Sequence, residues 1–90
     1  MVTEKVKVNM RNGIHLRLAG EIVKAANMFK AVVMISKDSM KVNGKSILGV
    51  AGLGAEFGAE LMIEIDGEDE REAMQYLVDM FDSNFSEKER

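Results

Sequence analysis

Residues 2–29 read VTEKVKVNMRNGIHLRLAGEIVKAANMF, and this stretch decides the fold because its hydrophobic period changes part-way along. From Val2 to Met10 apolar and polar residues nearly alternate, which is typical of a half-buried β-strand. After the Asn12-Gly13 turn, apolar residues recur at helical spacing, so residues 16–28 are predicted to form an amphipathic helix. The side chains expected to face the core are Val2, Val6, Val8, Met10, Leu18, Ile22, Ala25, Ala26 and Phe29.

A β-hairpin and a short helix are predicted in the middle of the chain. Ala31–Ile35 is a continuous run rich in β-branched residues, Lys37-Asp38-Ser39 is typical of a turn, and Met40–Asn43 is a short returning strand. Residues 47–53 then predict one or two turns of apolar helix. Ser46, directly before them, is the N-cap candidate.

A fourth strand and a third helix complete the pattern. Polar and apolar residues alternate from Glu60 to Asp66, and Gly67 ends this strand. The last helix is predicted to start at Glu68-Asp69-Glu70, where acidic side chains are favourable against the helix dipole. The inward-facing residues expected here are Leu61, Ile63, Ile65, Ala73, Leu77, Met80 and Phe81.

The element order β-α-β-β-α-β-α predicts an α+β fold in which helices cover one face of a four-stranded antiparallel sheet. Periodicity alone does not separate this arrangement from a ferredoxin-like domain, a class that includes metabolite sensors and RNA-binding proteins. We expect a single domain over residues 1–85 and a polar C-terminal tail over residues 86–90.

The composition excludes several classes of function. Acidic residues outnumber basic ones by 15 to 12, which argues against nonspecific nucleic-acid binding. The chain has no cysteine and one histidine, so disulfides and thiolate chemistry are excluded and a zinc site is not expected. No apolar run approaches the roughly 20 residues that span a bilayer, and the N-terminus has no signal-peptide core. We therefore expect a cytoplasmic protein that does not insert into membranes.

His15 is the best clue to function, because it stands at the predicted helix entrance, two residues before Arg17. A helix start offers backbone N–H groups and the positive end of the dipole, so an imidazole there lies beside an oxyanion-binding position. A lone surface histidine is more often a cap or a packing residue, and Arg17 alone is typical of a solvated charge. Together the two residues favour a phosphoryl group held on a ring nitrogen.

Four short motifs together resemble one known family. They are GIHLRLA at residues 13–19, KSILGV at 45–50, LGA at 53–55 and GEDEREA at 67–73. Their combined spacing is similar to that of HPr, the histidine-containing phosphocarrier of the bacterial phosphoenolpyruvate-dependent sugar phosphotransferase system. The resemblance covers residues 2–82 and implies an open-faced β-sandwich with three helices on one side of the sheet.

The resemblance implies a monomeric phosphocarrier rather than an enzyme, working without a metal or organic cofactor. Phosphate would be accepted at Nδ1 of His15 from enzyme I and passed to IIA-type proteins. Backbone N–H groups of Leu16 and Arg17, with the Arg17 side chain, are expected to stabilise it. Many members also carry a regulatory phosphoserine at the position of Ser46, which here implies an HPr kinase/phosphorylase as a partner and weaker docking to enzyme I.

The partner-docking surface is expected to be apolar with a basic rim. Each of its residues could equally belong to the ordinary core, and adjacent helical residues point in different directions, so Ile47 or Leu48 is a candidate for the core. The residues expected on this surface are Leu16, Gly20, Ile47, Leu48 and Ala51, with Arg17, Lys24 and Lys45 at the rim.

Two residues depart from the family pattern. Leu18 stands where the family usually has proline, so some preorganisation of the helix start is lost and one backbone donor is added. Gly20 stands where the family usually has alanine, at a helix cost of about 0.5–1 kcal/mol. Neither change removes a chemical group that the phosphate would need.

Two other functions are alternatives to the phosphocarrier. One is a regulatory relative, in a nitrogen-related branch or another non-transport pathway, that signals through its phosphorylation state. The other is a ferredoxin-like ligand-binding or RNA-binding module. The strand order fits such a module, but the chain has one tyrosine and no tryptophan and so lacks a basic aromatic sheet face.

Overall fold

The computed structural model describes residues 1–86. Its elements follow the predicted order, with a short 3₁₀ turn, Asn84–Ser86, added after the last helix. The elements are β1 (Val2–Lys7), α1 (Leu16–Ala26), β2 (Val32–Lys37), β3 (Met40–Asn43), α2 (Ile47–Gly52), β4 (Glu60–Asp66) and α3 (Glu70–Asp82).

The four strands form one antiparallel sheet in the order β1-β4-β2-β3. The register places Val6 opposite Leu61 and Ile35 opposite Ile63, so apolar residues of neighbouring strands share one face. Buried residues of α1, α2 and α3 pack with that face in a single core. The predicted α+β sandwich, with three helices on one side of a four-stranded sheet, is confirmed.

The predicted inward-facing residues of the helices and of β4 form most of this core. Leu18 and Ile22 of α1, Leu77 of α3 and Ile63 of β4 are completely buried. Met80 differs, because it is only half-buried and packs at the margin of the core. Burying one such large aliphatic side chain stabilises the fold by about 1.5–3 kcal/mol, so the stripe on α1 is enough to fix that helix to the sheet.

β1 is shorter than the predicted strand. Its pairing with β4 ends at Lys7, opposite Glu60, although Val8 and Met10 are buried as the alternation requires. Beyond the ladder, the Val8 amide donates to the Ala59 carbonyl oxygen at 2.8 Å. The alternating pattern therefore outlasts the strand, because the chain keeps one side against the core after strand pairing has stopped.

α1 also ends earlier than predicted, at Ala26 rather than at residue 28. The amides of Met28 and Phe29 donate to carbonyl oxygens only three residues back, at 3.0 and 3.3 Å, which closes the helix with a tighter turn. Phe29 still packs against the core, so the helical spacing of apolar residues continued past the helix itself.

The predicted β-hairpin is confirmed, with a shift in its first strand. β2 runs from Val32 to Lys37 instead of Ala31 to Ile35, and Lys37 pairs with Met40. Only Asp38 and Ser39 remain for the turn, and Asp38 takes a left-handed φ of 54°. β3 and β4 have the predicted bounds.

α3 begins at Glu70, two residues after the predicted start. Asp69 precedes the helix, and its side chain binds the segment after α1. The Asp69 carboxylate accepts hydrogen bonds from the amides of Lys30 and Ala31 at 2.8 and 2.9 Å, and these bonds lower its pKa, the Lys30 bond most. Glu70 accepts from the Gly67 amide at 3.0 Å, which likewise lowers its pKa. These acidic residues therefore join elements as well as compensate the dipole.

The chain after α3 is fixed by Phe85, which is buried with its ring centroid 4.9 Å from that of Phe81. Of the predicted polar tail, Ser86 is exposed and residues 87–90 lie outside the described residues. Between residues 1 and 86, no helix has both the length and the apolar character needed to cross a membrane.

The Asp69 bonds predict a loss of stability in acid. A carboxyl group with a lowered folded-state pKa contributes stability above its unfolded value of about 3.9, and this contribution is lost as the pH falls through the folded pKa. Between about pH 5 and pH 2 the urea midpoint should therefore fall less in Asp69→Asn than in the unsubstituted chain. Asp82→Asn, which removes an exposed carboxylate at the far end of α3, is the control. Identical pH profiles for all three proteins would contradict this role.

Candidate functional site

The loop before α1 is fixed by a close approach at Gly13. Gly13 has φ +69°, and a Cβ atom there would lie 2.4 Å from the Ala55 carbonyl oxygen and 2.9 Å from Cα of Glu56. Only glycine tolerates both the left-handed backbone and this lack of space. The Ile14 amide donates to the same Ala55 oxygen at 2.8 Å. The Gly13 turn and the segment after α2 thus hold each other in place.

His15 occupies the N-cap position of α1, with extended backbone angles of φ −81° and ψ 176°. Its carbonyl oxygen accepts the Ala19 amide at 2.9 Å, the hydrogen bond that opens the helix. The imidazole makes no cap hydrogen bond to the helix and is partly exposed to solvent. The ring therefore stands at the positive end of the helix dipole, where a negative group attached to it is electrostatically favoured.

Arg17 lies in the first turn of α1, on its exposed side. Its Nη1 contacts Oε2 of Glu21 at 2.6 Å, an ion pair between residues one helical turn apart. The structure thus places Arg17 in the first turn of α1 and pairs its guanidinium with Glu21, an acidic side chain that was not predicted to contribute to the site.

An exposed apolar surface is formed by Leu16, Gly20, Ile47 and Leu48, which we call the docking surface. Leu16 and Gly20 are one turn apart on α1, and a Cβ atom at Gly20 would lie 3.7 Å from Cδ1 of Ile47 on α2. Leu16, Ile47 and Leu48 expose 69%, 44% and 84% of their surface. Neither Ile47 nor Leu48 is a core residue, because Val50 supplies the buried contact of this short helix.

Ser46 caps α2, as predicted. Its Oγ accepts a hydrogen bond from the Gly49 amide at 3.1 Å, which satisfies one of the amides at the helix start. Ser46 directly precedes Ile47, so the structure places it beside the docking surface and on the helix next to α1.

The chain matches one protein family along nearly its whole length. Residues 2–83 match the family described as the PTS HPr component phosphorylation site. The chain belongs to the HPr family. The HPr of Treponema pallidum is 39% identical over 98% of this chain and all of its own length. The HPr-like protein Crh of Bacillus subtilis is 42% identical over 87% of this chain and 92% of its own.

A solved HPr structure has the same fold. The crystal structure of HPr from Thermoanaerobacter tengcongensis superposes with a TM-score of 0.94 and is 35% identical, covering 99% of this chain and all of that one. HPr proteins are phosphocarriers rather than catalytic enzymes. The predicted membership of this family is confirmed.

The two departures from the family pattern have different surroundings. Leu18 is completely buried, so this side chain adds to the core of the HPr fold at a position in the first turn of α1. Gly20 has room for a methyl group, since 3.7 Å from Ile47 is an ordinary contact distance. Nothing in the structure explains why glycine stands there.

The other three residues expected at the docking surface differ in their exposure and in their contacts. Lys24 is exposed in the last turn of α1, where its charge is favourable with the dipole. The Lys45 ammonium donates to the Phe29 carbonyl oxygen at 2.8 Å, so its charge is directed toward the end of α1. Ala51 is half-buried and packs against the core.

Several contacts that support the site were not anticipated from the sequence. The close approach of Gly13 to Ala55 joins residues far apart in the chain, so no local sequence pattern predicts it. Lys37 donates to the carbonyl oxygens of Leu53 and Gly54, both at 3.2 Å, and so neutralises the end of α2. The Arg17–Glu21 pair alone had a local signal, namely opposite charges four residues apart in a predicted helix.

Proposed function

We propose that this chain is a phosphocarrier that accepts a phosphoryl group from phospho-enzyme I on His15 and passes it to IIA-type proteins. The observation that carries the proposal is the position of His15, whose partly exposed ring stands at the N-cap of α1 without capping the helix. The ring can therefore meet a donor from solvent while a negative charge on it is stabilised by the helix start.

The transfer needs only groups that the chain and its partner supply. The lone pair of one ring nitrogen of neutral His15 attacks phosphorus, and the bond from phosphorus to the donor breaks with its electron pair staying on the donor. The second ring nitrogen keeps its proton, and the step requires no metal or organic cofactor. The reverse displacement, with an acceptor protein as nucleophile, regenerates His15.

Partner binding is proposed at the docking surface. An exposed apolar patch of this kind is typical of a protein-binding site, and it lies on α1 and α2 beside His15. Arg17 and Lys24 give its rim two cations on α1, which suit the acidic enzyme I. We assign Lys45 and Ala51 lesser roles there, because one donates to Phe29 and the other packs against the core.

We also propose that Ser46 is a regulatory phosphorylation site, recognised by an HPr kinase/phosphorylase. A phosphoryl group on Oγ would add a charge of roughly −1.5 to −2 at the start of α2. The helix start tolerates that charge. Because Ser46 is next to the exposed Ile47 and Leu48, the charge would repel an acidic partner that docks on those side chains. Phosphorylation would then weaken docking without unfolding the domain.

A regulatory role without sugar transport is the second candidate. It is favoured by the 42% identity to the HPr-like protein Crh, a solved form of which is described as a catabolite repression protein.

Some relatives form dimers. The solved form of Crh is described as a swapped dimer, and one Thermoanaerobacter tengcongensis structure is described as an HPr dimer. We propose that this chain is a cytoplasmic monomer, in which β1 pairs with β4 of the same chain.

The phosphocarrier proposal predicts an acid-labile phosphate on His15. With labelled phosphoenolpyruvate and a cognate enzyme I, the unsubstituted chain should gain one phosphate, and His15→Ala should gain none. Circular dichroism of His15→Ala should stay native, because the imidazole makes no cap bond to α1. A labelled chain that donates to no IIA-type protein would favour the regulatory role, and an unlabelled chain would contradict phosphoryl transfer through His15.

The regulatory proposal predicts slower phosphorylation of His15 in Ser46→Asp. The added carboxylate mimics part of the phosphate charge and can still cap α2, so the unfolding midpoint should change little. Ser46→Asn, which caps without charge, is the matched control. Initial rates of transfer from enzyme I should fall severalfold in Ser46→Asp alone. Equal rates in the two variants would contradict a charge-based switch.

A further inference from the structure

The Arg17–Glu21 ion pair lies beside the proposed phosphorylation site. Nη1 of Arg17 and Oε2 of Glu21 are 2.6 Å apart, and the two side chains keep 58% and 38% of their surface exposed. Glu21 is one turn beyond Arg17 and six residues beyond His15, so Arg17 lies between His15 and Glu21 along α1.

Helix stability does not account for this pair. An arginine in the first turn meets the positive end of the helix dipole, and an acid placed four residues after a base has the less favourable of the two orders. Exposed pairs of this kind contribute little to folding in any case. The pair is better explained by what it does to the guanidinium.

We infer that Glu21 is a positioning residue that holds Arg17 against α1 and limits how strongly a phosphoryl group on His15 is stabilised. The inference rests on the proposed phosphorylation of His15. The phosphoryl oxygens and the Glu21 carboxylate are both acceptors for the guanidinium of Arg17, so each bond to one weakens the hold on the other. A carrier gains from this competition, because a phosphoryl group bound too well is not passed on.

The effect of Glu21 passes through Arg17 rather than through direct repulsion. A rise of 1.5 Å per residue places Cα of Glu21 about 9 Å beyond that of His15 along the helix. This is close to the Debye length of about 8 Å at physiological salt, so direct repulsion across the exposed surface is weakened by screening. The contact with the guanidinium at 2.6 Å is not screened in this way.

The test compares Glu21→Gln with the unsubstituted chain in the phosphoryl-transfer equilibrium with enzyme I. Removing the charge while keeping the shape should shift the equilibrium toward phosphorylated carrier by about two- to fivefold, the range of exposed ion pairs. Hydrolysis of the phosphohistidine should slow in the same variant. Glu72→Gln, an exposed acid of α3, makes the same change in net charge and should leave both quantities unchanged.

A second experiment, in the Arg17→Ala variant, separates an effect of Glu21 through Arg17 from a general effect of its charge. In Arg17→Ala, the further change Glu21→Gln should have no effect on the equilibrium, because the residue through which it acts is gone. An unchanged equilibrium in Glu21→Gln, an equal shift in Glu72→Gln, or a shift that persists without Arg17 would overturn the inference. Absence of phosphate from the unsubstituted chain would instead overturn the proposed function, and the inference with it.

Discussion

A Cβ atom at position 13 would lie 2.4 Å from the Ala55 carbonyl oxygen, and the site is built around this lack of space. The same oxygen accepts the Ile14 amide, so one carbonyl group holds Ile14 and leaves no room for a side chain at position 13. His15 follows immediately, at the point where the chain enters α1. A glycine and a distant backbone oxygen thus set the position of the imidazole, while the helix start supplies its electrostatic surroundings.

The rest of the domain supports this arrangement from two sides. Leu18 and Ile22 fix α1 to the sheet from within, since both are completely buried. α2 is held at its start by the Ser46 cap and at its end by Lys37, which leaves Ile47 and Leu48 exposed beside α1. Burial of one helix face and capping of a neighbouring helix together leave a partner-accessible apolar surface next to His15.

The sequence predicted the fold and the start of α1 after His15, but not the contacts that fix the loop before that helix. Period-two alternation located β4 from Glu60 to Asp66, and Ser46 was recognised as a cap, because both signals are local. The same alternation placed the end of β1 at Met10, since burial continues where strand pairing stops. For Asp69 the local pattern predicts only a charge that compensates the helix dipole, because its hydrogen-bond partners lie 38 and 39 residues away.

Gly13→Ala compared with Gly54→Ala tests most directly whether the close approach at Gly13 positions His15 for phosphoryl transfer. Both glycines have left-handed φ, +69° and +62°, but a Cβ atom at Gly54 meets nothing within 4 Å. The measurement is the initial rate of His15 phosphorylation per folded molecule. Gly13→Ala should be slower than Gly54→Ala by up to about a hundredfold, because the imidazole is displaced. Equal rates in the two variants would contradict the account.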